Sequence, residues 1–252
     1  MRLHRLILMA LLPLAFAGCA TVANPNPRDP WEPMNRQVSQ LNEGLDAVLL
    51  KPAATFYREK VPPLVRTGVA NFFGNLSDVW SAANSLAQLK LQNAAENFMR
   101  FNVNTFFGLG GILDIASEMN IERHREDFGQ TLGRYGVPAG PYLVLPLLGP
   151  STLRDALAMT VDRRLDAIKY MDASTRNVLY PLKAVDARAN LLRMTAVLED
   201  AALDKYSFTR DAHLQKRRAE VDAGTKREGS DDNQGKVPDE PVPPPLPLNE
   251  RK

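Results

Sequence analysis

The stretch RYGVPAGPYLVLPLLGPSTLRD, residues 134–155, is apolar but is interrupted by four prolines and three glycines. Proline fixes φ and lacks a backbone donor, and glycine favours turns, so we predict a hairpin-like loop rather than a helix. The apolar run over residues 142–148 does not alternate with polar residues, so both of its sides must meet apolar surroundings. Protein core and lipid are both possible surroundings for this loop.

The chain begins with an export signal. Two arginines precede an apolar run over residues 6–17, which is shorter than the roughly 20 residues that a membrane span needs. Small residues directly precede Cys19, the only cysteine, as is typical of a bacterial lipoprotein signal; a chance cysteine beside an ordinary cleavage site is the alternative. We predict a signal peptide over residues 1–18 and a lipidated tether over residues 19–28, with Cys19 acylated. Ala20 stands where an inner-membrane retention signal has aspartate, which indicates the outer membrane.

Charge excludes one class of partner. The chain has 31 Lys and Arg against 29 Asp and Glu, without the positive clusters that nucleic-acid binding needs.

Residues 211–252 are predicted to form a charged, Pro-rich tail that is disordered from Gly224 onward. Residues 210–221 can prolong a helix, but they have little apolar face to bury.

Between these ends, residues 29–210 show repeated amphipathic helices and no strand pattern, so the predicted fold class is all-α. Asp29 is predicted to cap the first helix, which ends near Pro52. Further helices are predicted over residues 61–74, from residue 77, over residues 91–107 and 128–135, from the capping residue Ser151, and over residues 177–206. Such helices pack their apolar stripes on a core or lie in a membrane interface, and periodicity does not separate the two cases.

The sequence lacks the patterns of an enzyme. Only His124 and His213 remain once the signal is removed, and no serine lies in a G-x-S-x-G motif. The glycines of residues 108–111 do not form a dinucleotide fingerprint, so we interpret them as a helix break with close packing. The charged residues 122–127 are interpreted as a solvated turn rather than a metal site, and carboxylates such as Asp162 are expected to form ion pairs. No catalytic residue, cofactor or metal is therefore predicted.

Several short blocks occur together in one order. They are DPWE with NR at residues 29–36, NF with GNL at residues 71–76, RF with NT at residues 100–105, GLGG with D at residues 108–114, DFGQTLG with YGV at residues 127–137, GPY with LP at residues 140–146, and LRD at residues 153–155. In these blocks the chain resembles the MlaA/VacJ family of outer-membrane lipoproteins in the phospholipid transport pathway. The resemblance covers residues 29–210.

This resemblance implies a ring-like arrangement of amphipathic helices that lies in the inner leaflet of the outer membrane, beside a porin trimer. It also implies an amphipathic channel, through which mislocalised phospholipids leave the outer leaflet for a soluble periplasmic carrier. The loop over residues 128–154 matches the hairpin that lines and gates this channel. The expected channel or gate residues are Tyr142, Leu143, Val144, Leu145 and Leu147.

Such a channel is physically reasonable because a charged headgroup cannot enter hydrocarbon without a large cost. A polar path for the headgroup beside an apolar path for the tails lowers that cost without chemistry. The alternative is a structural lipoprotein that packs its helices as a soluble bundle and scaffolds partners at the membrane.

Overall fold

The computed structural model describes residues 26–226, without the side chains of residues 198–201 and 224–226. The predicted signal peptide, Cys19 and the tail beyond residue 226 lie outside the described residues. Within the described range the chain forms nine α-helices, one π turn at Asp46–Leu50, one 3-10 turn at Ala167–Tyr170 and one two-stranded hairpin. The helices are α1 Glu32–Leu45, α2 Lys51–Lys60, α3 Pro63–Ala87, α4 Leu91–Phe106, α5 Ile115–Glu118, α6 Phe128–Arg134, α7 Leu153–Arg164, α8 Ala173–Ala201 and α9 Lys205–Lys226; the strands are β1 Tyr142–Leu145 and β2 Gly149–Thr152. The all-α prediction is confirmed.

The first helical region is longer than predicted. The chain remains helical from α1 through the π turn into α2, so the predicted end near Pro52 is wrong. Pro52 lies at one of the first two positions of α2, where a missing backbone N–H is tolerated. The proline therefore marks a change of helix type rather than a helix end.

Helix α3 runs uninterrupted over 25 residues, although two helices divided between Gly74 and Ser77 were expected. A Cβ on Gly74 would lie 2.7 Å from a guanidinium nitrogen of Arg123, so this glycine permits close packing of that side chain. The Ser77 hydroxyl donates a hydrogen bond of 2.8 Å to the Gly74 carbonyl and does not cap a new helix. Neither residue interrupts the helix.

The helix after the hairpin begins one residue later than predicted. Thr152 is its N-cap, because its side-chain oxygen accepts a hydrogen bond of 3.2 Å from the Asp155 backbone N–H. Ser151 belongs to strand β2 instead.

The C-terminal region forms two helices rather than one over residues 177–206. Helix α8 contains Pro181 and ends at Ala201, and α9 begins at Lys205. Helix α9 continues to Lys226, so the tail begins later than residue 211. Helix α9 has little apolar face, as the sequence indicated, and polar contacts of residues such as Arg217 hold it in place.

The Pro- and Gly-rich stretch forms the predicted hairpin. Strands β1 and β2 pair antiparallel along their whole length. At the tip, Leu147 and Gly149 have φ values of 64° and 80°, in the left-handed region that tight turns require. Tyr142 and Val144 pack against Tyr206 of α9, so one face of the hairpin meets protein core.

Contacts between neighbouring elements close a ring. The hairpin packs on α1, which leads through the π turn to α2. Helix α2 packs on α8, and α8 packs on α3. Helix α3 packs on α6, α6 packs on α9, and α9 packs on strand β2, which closes the circuit. Helix α4 lies along α3, and α7 joins α6 to the hairpin. No helix within residues 26–226 is both long enough and apolar enough to cross a membrane.

Candidate functional site

A cavity of about 770 Å³ lies inside the ring. Its wall is built by residues of α3, α6, β2, α7, α8 and α9, together with the loop before α6. Most of these elements belong to the circuit described above, whereas α1 and α2 do not line the cavity. Its volume falls within the roughly 300–1,000 Å³ of pockets that hold small ligands.

The wall of this cavity combines two kinds of surface. Its apolar residues are Ala70, Phe73, Pro150, Met159, Ala187 and Leu191. Its charged residues are Arg125, Glu126, Asp127, Asp155, Asp162, Lys183, Asp186, Lys216, Arg217 and Glu220. The cavity is therefore suited to a molecule that has an ionic part and an apolar part.

Arg217 joins α9 to two other elements of the wall. Its Nε lies 2.9 Å from a carboxylate oxygen of Asp155, and its Nη1 lies 2.7 Å from one of Asp127. Burial lowers the pKa of Arg217, but the two carboxylates outweigh this effect and raise it above its usual range. Burial likewise raises the pKa of Asp155, yet Arg217 and Arg154 hold it below its usual value. Arg217 and Asp155 therefore stay charged, and the two ion pairs of Arg217 fix α9 against the N-termini of α6 and α7.

Two other carboxylates of the wall are held by neutral donors. Asp162 accepts a hydrogen bond of 2.7 Å from the indole of Trp80, and Asp186 accepts one of 3.1 Å from the hydroxyl of Tyr57. Burial raises the pKa of both carboxyl groups above the usual value. The ion pair expected for Asp162 is thus replaced by hydrogen bonds from uncharged groups.

A buried ionic network joins α3, α4 and the segment before α6. Arg100 and Asp78 are 1% and 0% exposed. Arg100 lies 2.6 Å from Asp114, and Arg123 lies 3.0 Å from Asp78. Burial raises the pKa of Asp78, while Arg123 and Arg100 oppose that rise. Buried charges persist only when they are paired in this way.

The charged segment over residues 122–127 is not a solvated turn. Besides Arg123 in the buried network, His124 pairs with Glu96 of α4. Glu126 lies 2.7 Å from the ammonium group of Lys90. The segment is therefore fixed by charged partners on α4 and on the link before it.

The outward surface is apolar, in contrast to the buried ionic network. In α4 the buried residues are Asn97, Arg100 and Asn104, whereas Phe98 and Phe106 are 62% and 78% exposed. Further large apolar side chains exposed between α1 and α4 are Leu41, Leu45, Val48, Leu49, Phe56, Leu64, Val65, Leu86 and Met99. An exposed apolar surface of this extent marks a membrane or protein contact.

The five predicted channel or gate residues lie on the hairpin, away from the cavity wall. Tyr142 and Val144 are buried in the core, Leu143 and Leu145 are half-buried, and Leu147 is 70% exposed at the tip. The hairpin contributes to the wall through two residues of β2 instead. A channel or gate role for the five residues remains a prediction.

Asp29 does not cap the first helix as predicted. The N-cap is Trp31, and its side chain makes no capping bond. Asp29 is buried and accepts hydrogen bonds of 2.8 Å from the Asn35 amide and 2.6 Å from the Tyr206 hydroxyl. The DPWE block therefore serves to join α1 to α9.

Sequence reasoning missed the role of α9. Tyr206, Arg210, His213, Arg217 and Glu220 follow a spacing of three or four residues, which places them on one helical face. That periodicity was the available signal, but the stripe is polar and a search for apolar periodicity does not find it. Within residues 26–226 no group of three or more His, Cys, Asp or Glu side chains is arranged to hold a metal ion.

Comparisons with known proteins agree with this architecture. The model of the MlaA lipoprotein family matches residues 27–220. The chain is 36% identical over 229 residues to the intermembrane phospholipid transport system lipoprotein MlaA of Haemophilus influenzae, covering 86% of this chain and 91% of that protein. It is 33% identical over 218 residues to the protein of the same name in Escherichia coli strain K12, covering 84% and 86%.

A solved structure described as "Structural basis for maintenance of bacterial outer membrane lipid asymmetry" has the same fold. Its TM-score is 0.68 at 31% identity, and the match covers 77% of this chain and 98% of that chain. The resemblance inferred from the sequence blocks is confirmed, and the chain belongs to the MlaA lipoprotein family.

Proposed function

We propose that this chain is an outer-membrane lipoprotein that removes mislocalised phospholipids from the outer leaflet and passes them through its cavity to a soluble periplasmic carrier. The observation that carries the proposal is a cavity lined by both charged and apolar residues, surrounded by helices that expose large apolar side chains. The names of the relatives, which describe phospholipid transport, and the lipid-asymmetry study of the similar structure support it.

The cavity provides surroundings for both parts of a phospholipid. Lys183, Lys216 and Arg125 can meet the phosphate, and the apolar residues of the wall can meet the first methylene groups of the tails. This arrangement avoids the transfer of a charged headgroup into hydrocarbon, which is the main cost of its movement across a leaflet.

In this proposal the ring lies within one leaflet, and the exposed apolar side chains support that location. Helix α4 has 16 residues and is about 24 Å long, shorter than a bilayer core of about 30 Å. Amphipathic helices of this kind lie in the interface with their apolar face among acyl chains. Acylation of Cys19 would add a second anchor, and two signals together make attachment stable.

A porin trimer and a soluble carrier are the partners in this proposal, as the family resemblance implies. The porin would meet the apolar outer surface, and the carrier would receive phospholipid on the periplasmic side. Catalysis has no part in this function, because transfer needs only a path.

The proposal is tested by filling the cavity. Ala187 lies on the wall, so Ala187→Trp should obstruct the path, whereas Ala47→Trp adds the same side chain on the exposed π turn. Each form is expressed in Escherichia coli without its own relative, and outer-leaflet phosphatidylethanolamine is measured with an impermeant amine reagent. We expect the natural chain and Ala47→Trp to lower this labelling and Ala187→Trp to leave it high. Equal rescue by Ala187→Trp at equal protein level would favour a scaffold without transport.

A further inference from the structure

The wall of the cavity inside the ring holds more carboxylates than cations. It has six Asp or Glu side chains against four Lys or Arg side chains. Four of the carboxylates pair with Arg217 or Lys90, and these are Asp127, Asp155, Glu220 and Glu126. The other two, Asp162 and Asp186, form no ion pair with any side chain that the structure describes. The surplus negative charge of the wall therefore lies on these two residues.

Asp162 keeps one oxygen available to a ligand. Its Oδ1 accepts both hydrogen bonds of the side chain, which are 2.7 Å from the Trp80 indole and 3.0 Å from the Phe128 N–H. Its Oδ2 accepts none from the described residues. An ionised carboxylate accepts hydrogen bonds at both oxygens and favours charged donors. The second oxygen can therefore receive a cationic donor inside the cavity.

Asp186 also lacks a cation, but it lies one helical turn from one. Its two oxygens accept hydrogen bonds of 3.1 Å from the Tyr57 hydroxyl and 3.2 Å from the Asn190 amide. Lys183 precedes it by three residues on α8, a spacing that places both on one helical face, and both line the cavity. The Lys183 ammonium is 3.8 Å from Asp166, too far for a hydrogen bond. The wall thus offers a cation and an anion side by side.

Phospholipid headgroups differ in the charges that such a wall would meet. Phosphatidylethanolamine has an ammonium group beside its phosphate and is neutral overall, whereas phosphatidylglycerol has the phosphate alone and is anionic. A surplus of carboxylates repels an anionic headgroup, and the repulsion is stronger where water is partly excluded. Neighbouring charges of both signs suit a headgroup that also has both. Charge complementarity of this kind gives specificity.

We propose that the cavity selects phospholipids whose headgroup carries an ammonium group, with Asp162 and Asp186 facing the ammonium and Lys183 facing the phosphate. This inference rests on the proposed function, because it names the lipid class that the same cavity accepts. The two carboxylates are thereby assigned to headgroup specificity.

Competition between two lipids tests this selection. The purified full chain in detergent is mixed with equal amounts of phosphatidylethanolamine and N-acetyl phosphatidylethanolamine, which share their acyl chains and differ only in the ammonium group. Native mass spectrometry measures the ratio of the two bound lipids. We expect phosphatidylethanolamine to be favoured about fivefold by the natural chain.

Asp162→Asn is the sharpest variant, because its amide oxygen still accepts both bonds that Oδ1 makes and only the charge is lost. The preference should fall to about twofold, and it should vanish when Asp186→Asn is added. Glu59→Gln removes the same charge at an exposed position of α2 and should keep the natural preference. Ala187→Trp fills the cavity and should abolish the preference, which separates the cavity from lipid bound on the outer surface.

Equal binding of the two lipids by the natural chain, or a preference for the acetylated lipid, would overturn the proposal. The same ratio in Asp162→Asn and Glu59→Gln would also overturn it. Transfer of each lipid from donor to acceptor vesicles is measured separately. A natural chain that binds phosphatidylethanolamine selectively but transfers no lipid would refute the proposed function and support the headgroup selection. Transfer of both lipids at equal rates, without selective binding, would do the reverse.

Discussion

The two faces of helix α4 differ in the way that the whole ring differs inside and outside. Its inner face carries Asn97, Arg100 and Asn104, all buried, and its outer face carries Phe98 and Phe106, both exposed. A helix on the surface of a water-soluble protein shows the reverse distribution. The ring is therefore built for apolar surroundings, with polar side chains buried between its elements.

This inversion changes what stabilises the fold. The interior holds many paired charges and amides beside small apolar clusters, and the polar groups are costly if one partner is lost. The outer surface adds little to folding by itself, but it gains free energy when acyl chains cover it. The following predictions separate these two contributions.

The largest expected effect is on the stability of the fold, and it comes from the inner face of α4. Arg100→Met removes the closest cationic partner of Asp114 and the second cationic partner of Asp78, and should lower the free energy of unfolding by about 3–5 kcal/mol. Urea unfolding in detergent, followed by circular dichroism, measures it. Arg58→Met makes the same change at an exposed position of α2 and should shift stability by less than about 0.5 kcal/mol. Similar values for the two variants would contradict a polar core.

On the outer face, the double variant Phe98→Ser, Phe106→Ser should affect membrane binding instead. Each phenyl ring contributes about 2 kcal/mol when acyl chains cover it, so binding of the Cys19→Ala chain to vesicles should fall on the order of a thousandfold. Unfolding in detergent should change little.

Phe73→Ser provides the inverse case. Phe73 is 8% exposed, so this variant should lose about 3 kcal/mol of stability while the affinity of the folded chain for vesicles is kept. Vesicle flotation and urea unfolding, measured on both variants, give the comparison. The inside–outside distinction fails if the outer pair destabilises the fold as much as Phe73→Ser does.

Alanine substitutions at two glycines should change stability by smaller amounts, and the two changes should have opposite signs. Gly111 has a φ of 93°, and a Cβ there would lie 2.5 Å from the Asn75 amide, so Gly111→Ala should destabilise by about 1–3 kcal/mol. Gly44 lies on the exposed side of α1 with nothing within 4 Å of an added Cβ, so Gly44→Ala should stabilise by about 0.5–1 kcal/mol. Thermal unfolding in detergent measures both, and the same sign for the two would refute this assignment.

The smallest effect concerns pH. Burial, aided by Arg217 and Lys216, holds the pKa of His213 below its usual 6.5, although Asp155 and Glu220 oppose this shift. The unfolded chain therefore binds the proton first, and the stability from neutral His213 is present above pH 6.5 and lost as pH falls toward the lowered pKa. Unfolding free energies between pH 7.5 and 5 should fall less for His213→Gln than for the natural chain. Parallel profiles would argue against burial of His213.

Local patterns in the sequence were enough for part of this account. Prolines and glycines predict the hairpin, and apolar spacing predicts α4 almost to the residue. The same local rules fail at Gly74, where a glycine that usually ends a helix provides room for the Arg123 side chain. The partner of that glycine lies 49 residues further along the chain and is not visible locally.

The site was harder to predict than the fold. Arg217 and Asp127 are 90 residues apart in sequence, and only the closed ring brings them together. Asn35 and Asn42 look like ordinary polar positions of an amphipathic helix, yet they bond to backbone atoms of the hairpin. Apolar periodicity shows which face of a helix is apolar, but it does not show whether that face packs inside the protein or lies on its outer surface.

The most direct test of the central claim compares a spin label at Phe106→Cys with one at Ser77→Cys, each in a Cys19→Ala chain reconstituted in vesicles. Phe106 is 78% exposed on the outer surface, and Ser77 lines the cavity. The account predicts that dissolved oxygen relaxes the label at position 106, as it does in hydrocarbon, and that a water-soluble nickel chelate relaxes the label at position 77. Equal access of the nickel chelate to both labels would contradict an apolar exterior around a cavity that water reaches.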